Sequence, residues 1–245
     1  MSTAYWLIVP AAGRGRRFGT SLPKQYTTLN GRAVIEWSLA PFVADPRCVG
    51  VVVALSDADE HWPVIESRLG ALRDAVSPLV WVRTIGGAER ADSVRHALNA
   101  LAERISGDDW VMVHDAARPC VSPAEIEALV AGCTAGATGG LLALAANETL
   151  KRADGGGRAG ETLPREQVWR AQTPQMFQYA VLSAALAAAH TAGRVPTDES
   201  QAMEWQGHRP LLVAGCATNL KITDSADLEL AAAILAARQL SRSEA

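Results

Sequence analysis

Tyr5-Trp6-Leu7-Ile8-Val9-Pro10 runs without a polar break into Ala11-Ala12-Gly13. Six apolar residues closed by small ones read as a buried strand that empties into a glycine-rich loop. Three later runs have the same character: VGVVVAL at 49–55, LVWVR at 79–83 and WVMVH at 110–114. Helical periodicity fills the intervals between them, with candidate helices at 33–43, 60–69 and 91–104. Strands alternating with helices predict an α/β fold, a Rossmann-like, mostly parallel twisted sheet with helices on both faces, because parallel strands need crossover connections.

Further helices are expected downstream. Ser122-Pro123-Ala124-Glu125 combines a cap, a first-turn proline and the closing acid of a capping box, which predicts a helix over 123–134. Alanine and leucine dominate 179–190 and 224–240, where two more helices are expected. Thr197 reads as the cap of a helix over 198–205, and 219–222 as a short strand ending near a solvated Lys221. The pattern breaks at 147–170, where a triple glycine lies between charged, strand-like flanks. That stretch predicts a projecting hairpin, too small to stand alone and therefore expected to pack on the same arm of a second subunit. No internal repeat or linker divides the chain, so one domain over 1–245 is expected.

The 245 residues are 49% hydrophobic and 20% charged, an ordinary globular balance. No apolar run approaches the roughly 18 residues that cross a bilayer, and the N-terminus lacks the features of a secretory signal. Four scattered cysteines (Cys48, Cys120, Cys133, Cys216) show no metal or disulfide spacing and read as reduced packing residues. A cytoplasmic location is expected, with no membrane partner.

Charge is distributed unevenly. The first 35 residues carry Arg14, Arg16, Arg17, Lys24 and Arg32 and no acid, leaving 18 basic residues against 26 acidic ones in the remainder. A positive field concentrated near one glycine-rich loop fits a small, highly anionic ligand better than a nucleic acid, which demands a broad basic face. In PAAGRGRRF, over 10–18, small residues admit an anion to the backbone N–H groups, and the arginines with Lys24 can neutralise several phosphate charges. A solvated basic loop is the plain alternative. The stretch fails both the P-loop pattern and the third glycine of the dinucleotide fingerprint.

Asp115 follows a buried strand and so sits at the carboxyl edge of the sheet, either as a Mg²⁺ ligand or as a turn former. Arg118 reads as a substrate contact or as the partner of Asp115, and His114 as a packed core residue. Gly86-Gly87-Ala88 can lie flat against a nucleobase. Ser93 reads as part of that surface or as a helix-terminus residue bonding its own backbone, and Glu89, Arg90 and Asp92 as helix-surface ion pairs. No nucleophile elbow, HExxH or Cys/His cluster occurs. Cations, glycine turns and one placed carboxylate suit phosphoryl or nucleotidyl transfer, where positioning and charge stabilisation carry the catalysis.

PAAGRGRRF with LPKQY, GGAERADSV, HDAARP, the TLKR stretch from Thr149, WRAQTPQ, TDES and NLKIT occur in this order along the chain. In these motifs it resembles the 2-C-methyl-D-erythritol 4-phosphate cytidylyltransferase family, over residues 5 to about 240. The resemblance implies transfer of CMP from CTP to methylerythritol phosphate with Mg²⁺ as cofactor. It implies that Arg17 and Lys24 stabilise charge on the α-phosphate, and that Ala11, Ala12 and Gly13 hold the nucleotide. Gly87, Ala88 and Ser93 would read cytosine. Asp115 would serve the metal and the sugar alcohol, Arg118 and Thr173 would contact the erythritol moiety, and Arg165, Thr197 and Lys221 would grip its phosphate. It also implies a homodimer that exchanges arms, with Thr149 and Arg165 acting in the neighbour's site. Pro164 and Ala88 stand where aspartate is common or occasional in the pattern. No second catalytic domain is expected after Leu240. Alternatives are a cytidylyltransferase for another polyol phosphate such as ribitol 5-phosphate, and a non-catalytic nucleotide-binding regulator.

Overall fold

A computed structural model describes residues 3–13, 22–72 and 79–243. The opening run forms β1 (Tyr5–Pro10), and a single 3₁₀ turn at Lys24–Tyr26 leads to a short ribbon of β2 (Thr28–Leu29) and β3 (Arg32–Ala33). Then follow α1 (Val34–Val43), β4 (Cys48–Leu55), α2 (Trp62–Gly70), β5 (Val80–Ile85), α3 (Arg90–Leu101), β6 (Trp110–Val113), α4 (Pro123–Thr134) and β7 (Gly139–Ala145). The arm consists of β8 (Leu150–Ala153) and β9 (Ala159–Leu163). The chain closes with β10 (Trp169–Gln178), α5 (Tyr179–Thr191), α6 (Glu199–Trp205), β11 (Leu211–Ala214) and α7 (Ser225–Ser243).

The main sheet has seven strands in the order β11-β7-β10-β6-β1-β4-β5. It is mostly parallel, as expected. Only β10 runs against its two neighbours, β6 and β7. Side chains alternate along β1: Tyr5, Leu7 and Val9 enter one buried layer that includes Ile35, Leu39, Trp62 and Leu129, while Trp6 and Ile8 enter the opposite layer with Val94, Leu98, Leu182 and Met203. Both faces are thus sealed by helices, which explains why strands buried on two sides read as unbroken apolar runs.

Connectivity decides where a ligand can bind. From β1 the chain builds outward through β4 to β5, then returns to the other flank of β1 as β6. The loops leaving β1 and β6 therefore diverge, opening a crevice at the carboxyl edge where the strand order reverses. Backbone bonds carry the ladder past the strand ends, from Ala11 N to Ala54 O, Gly86 N to Leu55 O and His114 N to Ile8 O, at 2.8 to 2.9 Å. These bonds hold the three loops at one level.

Several expectations need correction. The strand expected over 219–222 is a loop, pinned by Ile222 N bonding Ala117 O at 2.8 Å and by side chains that claim the carbonyl of Asn219. Asp198, and not Thr197, caps α6, with its Oδ1 accepting from Gln201 N at 2.9 Å. Cys48, Cys120 and Cys133 are buried thiols, but Cys216 is exposed, with its Sγ accepting from Thr218 Oγ1 at 3.0 Å. The capping box of α4 forms as read: Ser122 Oγ accepts from Glu125 N, and Glu125 Oε2 accepts from Ser122 N at 3.0 Å.

Candidate active site

A cavity of about 590 Å³ lies at this edge, lined by the loop after β1 (Pro10 to Gly13), by Lys24 and Gln25, by Gly87 to Arg90 with Ser93, by Asp115 to Ala117, and by Lys221. Each lining segment has a local cause. Gln25 Nε2 donates to Ala11 O at 2.7 Å, which ties the Lys24 turn to the loop after β1. Lys24 Nζ donates to Ile222 O at 2.8 Å, which ties the Lys24 turn to the loop that carries Lys221. Gly86 and Gly87 permit close approach: a Cβ on Gly86 would lie 2.3 Å from Ala12 Cβ, and one on Gly87 would lie 2.1 Å from Asp92 Cβ. Ser93 Oγ accepts from Gly87 N at 3.1 Å and donates to Glu89 O at 3.3 Å. Ser93 therefore bonds its own backbone, as one reading had it, and also lines the cavity.

Asp115 is the electrostatic centre of the floor. Its Oδ1 accepts from Arg90 Nε at 2.9 Å, while Oδ2 faces Lys221 Nζ at 2.9 Å and Arg118 Nε at 3.5 Å. Burial alone would raise the pKa of this carboxyl, but Arg90, Lys221 and Arg118 outweigh burial and hold it well below the ordinary carboxylate range. Arg90 is doubly committed. Its Nη1 and Nη2 grip Glu199 Oε1 and Oε2 at 2.7 and 3.1 Å, a fork that only a guanidinium can make. The expected helix-surface ion pairs are thus corrected at Arg90, which points inward and joins two buried carboxylates.

The antiparallel course of β10 explains the layer beneath. Pairing of Gln175 with Val113 carries the preceding residues of β10 past the end of β6, beside Asp115. There the register with β7 slips between Ala171 and Gln175, a bulge that re-aims side chains. Thr173 Oγ1 accepts from Asp115 N at 3.0 Å and reaches His114 Nδ1 at 3.1 Å, while His114 Nε2 lies 3.2 Å from Arg118 O. A carbonyl only accepts, so Nε2–H donates to Arg118 O, and the unprotonated Nδ1 of the neutral ring accepts from the Thr173 hydroxyl. His114 is fully buried, and burial pushes its pKa down to about 3, so it is a neutral core residue as expected.

The structure brings together Ala11, Ala12, Gly13, Lys24, Gly87, Ala88, Ser93, Asp115 and Lys221 around one cavity. Arg118 and Thr173 lie just below it and act on Asp115 itself. Thr149, Arg165 and Thr197 are exposed and do not line it. Arg17 lies outside the described residues. Sequence reading missed Arg90 and Glu199 as site residues. Their signal was present in GGAER and TDES, but the pairing spans 109 positions and only the fold reveals it.

The model of the family described as 2-C-methyl-D-erythritol 4-phosphate cytidylyltransferase matches residues 5–237. The chain belongs to this family. A relative of that name from Halorhodospira halophila is 50% identical over 236 residues, covering 96% of this chain and 95% of its own. Another from Dechloromonas aromatica is 48% identical, covering 96% and 99%. Among solved structures, the cytidylyltransferase of Francisella tularensis superposes with a TM-score of 0.78 at 34% identity, covering 95% of this chain and 100% of that one. A structure described as 4-diphosphocytidyl-2C-methyl-D-erythritol synthase gives a TM-score of 0.80 at 32% identity, covering 96% and 100%.

The donor set does not fit a magnesium ion held by the protein at Asp115. Both of its oxygens already face the cations Arg90, Lys221 and Arg118, which stand where a divalent ion would have to approach.

Proposed function

We propose that this chain transfers CMP from CTP to 2-C-methyl-D-erythritol 4-phosphate, giving 4-diphosphocytidyl-2-C-methyl-D-erythritol and pyrophosphate in non-mevalonate isoprenoid biosynthesis. The observation that carries the reading is the floor at Asp115, a carboxylate held ionised among three cations beside a glycine-lined cavity, in a chain of this family. A phosphate oxygen of the sugar attacks the α-phosphorus in line, and the bond to the bridging α–β oxygen breaks as pyrophosphate leaves. The attacking phosphate is already ionised, so no general base is needed. The buried, neutral His114 is consistent with that economy.

In this reading the Ala11, Ala12 and Gly13 backbone cradles the triphosphate, and Lys24 with Arg17 neutralises charge that grows on the α-phosphate. Gly87, Ala88 and Ser93 face the cytosine. Asp115 accepts from a sugar hydroxyl and Lys221 meets the sugar phosphate, while Arg118 and Thr173 hold Asp115 in place. Magnesium would be brought by the triphosphate and not held by Asp115, and it would supply further neutralisation of phosphate charge. Thr149, Arg165 and Thr197 complete the phosphate site, the first two from the arm of a second subunit in a homodimer. The exposure of both on an arm away from the cavity supports that exchange. We place the reaction in the cytoplasm. The four free cysteines accord with a reducing compartment, and no described helix is long and apolar enough to cross a membrane.

The test is Mg²⁺-dependent pyrophosphate release from CTP with methylerythritol phosphate, with ribitol 5-phosphate, or with no acceptor. Release with methylerythritol phosphate alone supports the reading. Release only with ribitol phosphate transfers the mechanism to another polyol, and silence in all three from folded protein overturns it.

A further inference from the structure

Glu199 does not line the cavity, yet it is a fully buried carboxylate at 1% exposure, one residue into α6. Its position is built with care. Gln175 staples the start of α6 to β10, with Nε2 donating to Asp198 Oδ2 and Oε1 accepting from Ser200 N, both at 2.9 Å. Asp198 caps the same turn through Gln201 N. Glu199 is thereby pointed at Arg90, whose remaining Nε reaches Asp115. A fully buried carboxylate needs an opposite charge and more than one hydrogen bond, and Arg90 supplies both. The bidentate grip does more, since it takes both Nη groups of Arg90 away from the cavity.

We propose that Glu199 is a positioning residue for the transfer reaction, acting through Arg90: it withholds that guanidinium from substrate phosphate and commits it to Asp115. The inference rests on the function proposed above. The cavity already carries Lys24 and Lys221, with Arg118 just below, against the carboxylates of Glu89 and Asp115. Without the Glu199 charge, Arg90 becomes an additional cation for bound phosphate, and ground-state anions gain as much as the transition state or more. Binding that is uniform in this way lowers KM without raising kcat.

The test is Glu199→Gln, which keeps the shape and removes the charge, with inorganic pyrophosphate as the probe and calorimetry as the readout. Pyrophosphate binding needs no turnover, so it reports on this inference even if the acceptor assignment fails. The expected result is pyrophosphate bound roughly three- to tenfold more tightly, with kcat lowered about tenfold and KM for CTP unchanged or lower. A merely structural Glu199 would give the opposite, weaker pyrophosphate binding and a raised KM. Unchanged binding would also overturn the inference. Should Glu199→Gln fail to fold, Arg90→Lys supplies the second measurement. A lysine keeps the charge but cannot fork between two carboxylates, so tighter pyrophosphate with lowered kcat is expected again, and wild-type values in both would overturn the role.

Discussion

Arg90 and Glu199 approach to 2.7 Å, and so do Arg152 and Glu161 on the arm. The first pair has side-chain exposures of 26% and 1%, the second 67% and 55%. Equal distances therefore describe unequal interactions. On the arm, water screens the charges and both side chains lose entropy to hold one geometry, so such pairs contribute about 0 to 1 kcal/mol. On the floor, each partner is the main compensation for the other's desolvation, and removing one leaves a buried charge uncovered. The floor is a fixed electrostatic frame, and the arm is a solvated hairpin with a surface still to be used.

The largest expected effect separates cations that face a ligand from those that face the frame. Lys24→Ala should lower turnover by roughly two to three powers of ten while leaving thermal unfolding near that of the parent, as loss of a main charge stabiliser does elsewhere. Steady-state rates and a melting scan on the same preparation check both halves. A wild-type rate would sink the proposed chemistry, and a large fall in Tm would move Lys24, whose ammonium bonds Ile222 O, into the frame. Arg90→Gln should do the reverse in proportion. It strands Glu199, so a loss of about 3 kcal/mol is expected, the low end for a broken buried pair because Arg90 is not wholly enclosed. For a chain of this size that is a fall in Tm of roughly 6 to 12 °C. A shift under 2 °C would mean that Glu199 finds water or protonates at little cost.

These two residues also mark what could be read without coordinates. Lys24 and Asp115 were legible because their signal is local, a charge set beside small residues or directly after an apolar run. The parallel core was legible for the same reason, since strands buried on both faces write themselves as unbroken valine and isoleucine. Arg90 was read as surface charge because its immediate neighbours, Glu89 and Asp92, offer ready partners at helical spacing. Its true partners lie 25 and 109 positions away. The loop that carries Lys221 failed as a strand for a related cause: its backbone groups are claimed by Arg118, Gln172 and the Ala117 carbonyl, none of which is near in sequence. Asp198 displaced Thr197 as the cap of α6 because Gln175, on another element, holds the Asp198 carboxylate at the first turn.

A smaller effect tests whether the arm joins the frame. Arg165→Ala should raise KM for the sugar phosphate about tenfold and leave Tm unchanged, because the side chain is exposed and its guanidinium bonds only Asn147 O among the contacts described. A mixed dimer of one Lys24→Ala and one Arg165→Ala subunit decides the geometry. If Arg165 serves the partner's cavity, that dimer holds one site with both cations and recovers near half of the parent activity at low sugar phosphate. If it serves its own cavity, neither site is complete and activity stays low.

The smallest expected effect is the most direct measure of the contrast. Arg152 and Glu161 face each other across the β8–β9 ladder, where opposite charges contribute only a few tenths of a kcal/mol to a wet hairpin. Arg152→Gln should therefore change stability by less than about 0.5 kcal/mol, within the range of ordinary surface substitutions. Denaturant unfolding at two protein concentrations gives the check. A loss above about 1 kcal/mol would show that the pair is dehydrated in solution, and if the loss grew with protein concentration, a second copy of the chain would be what dehydrates it. The arm pair would then have moved toward the condition of Arg90 and Glu199, at the same 2.7 Å, through burial alone.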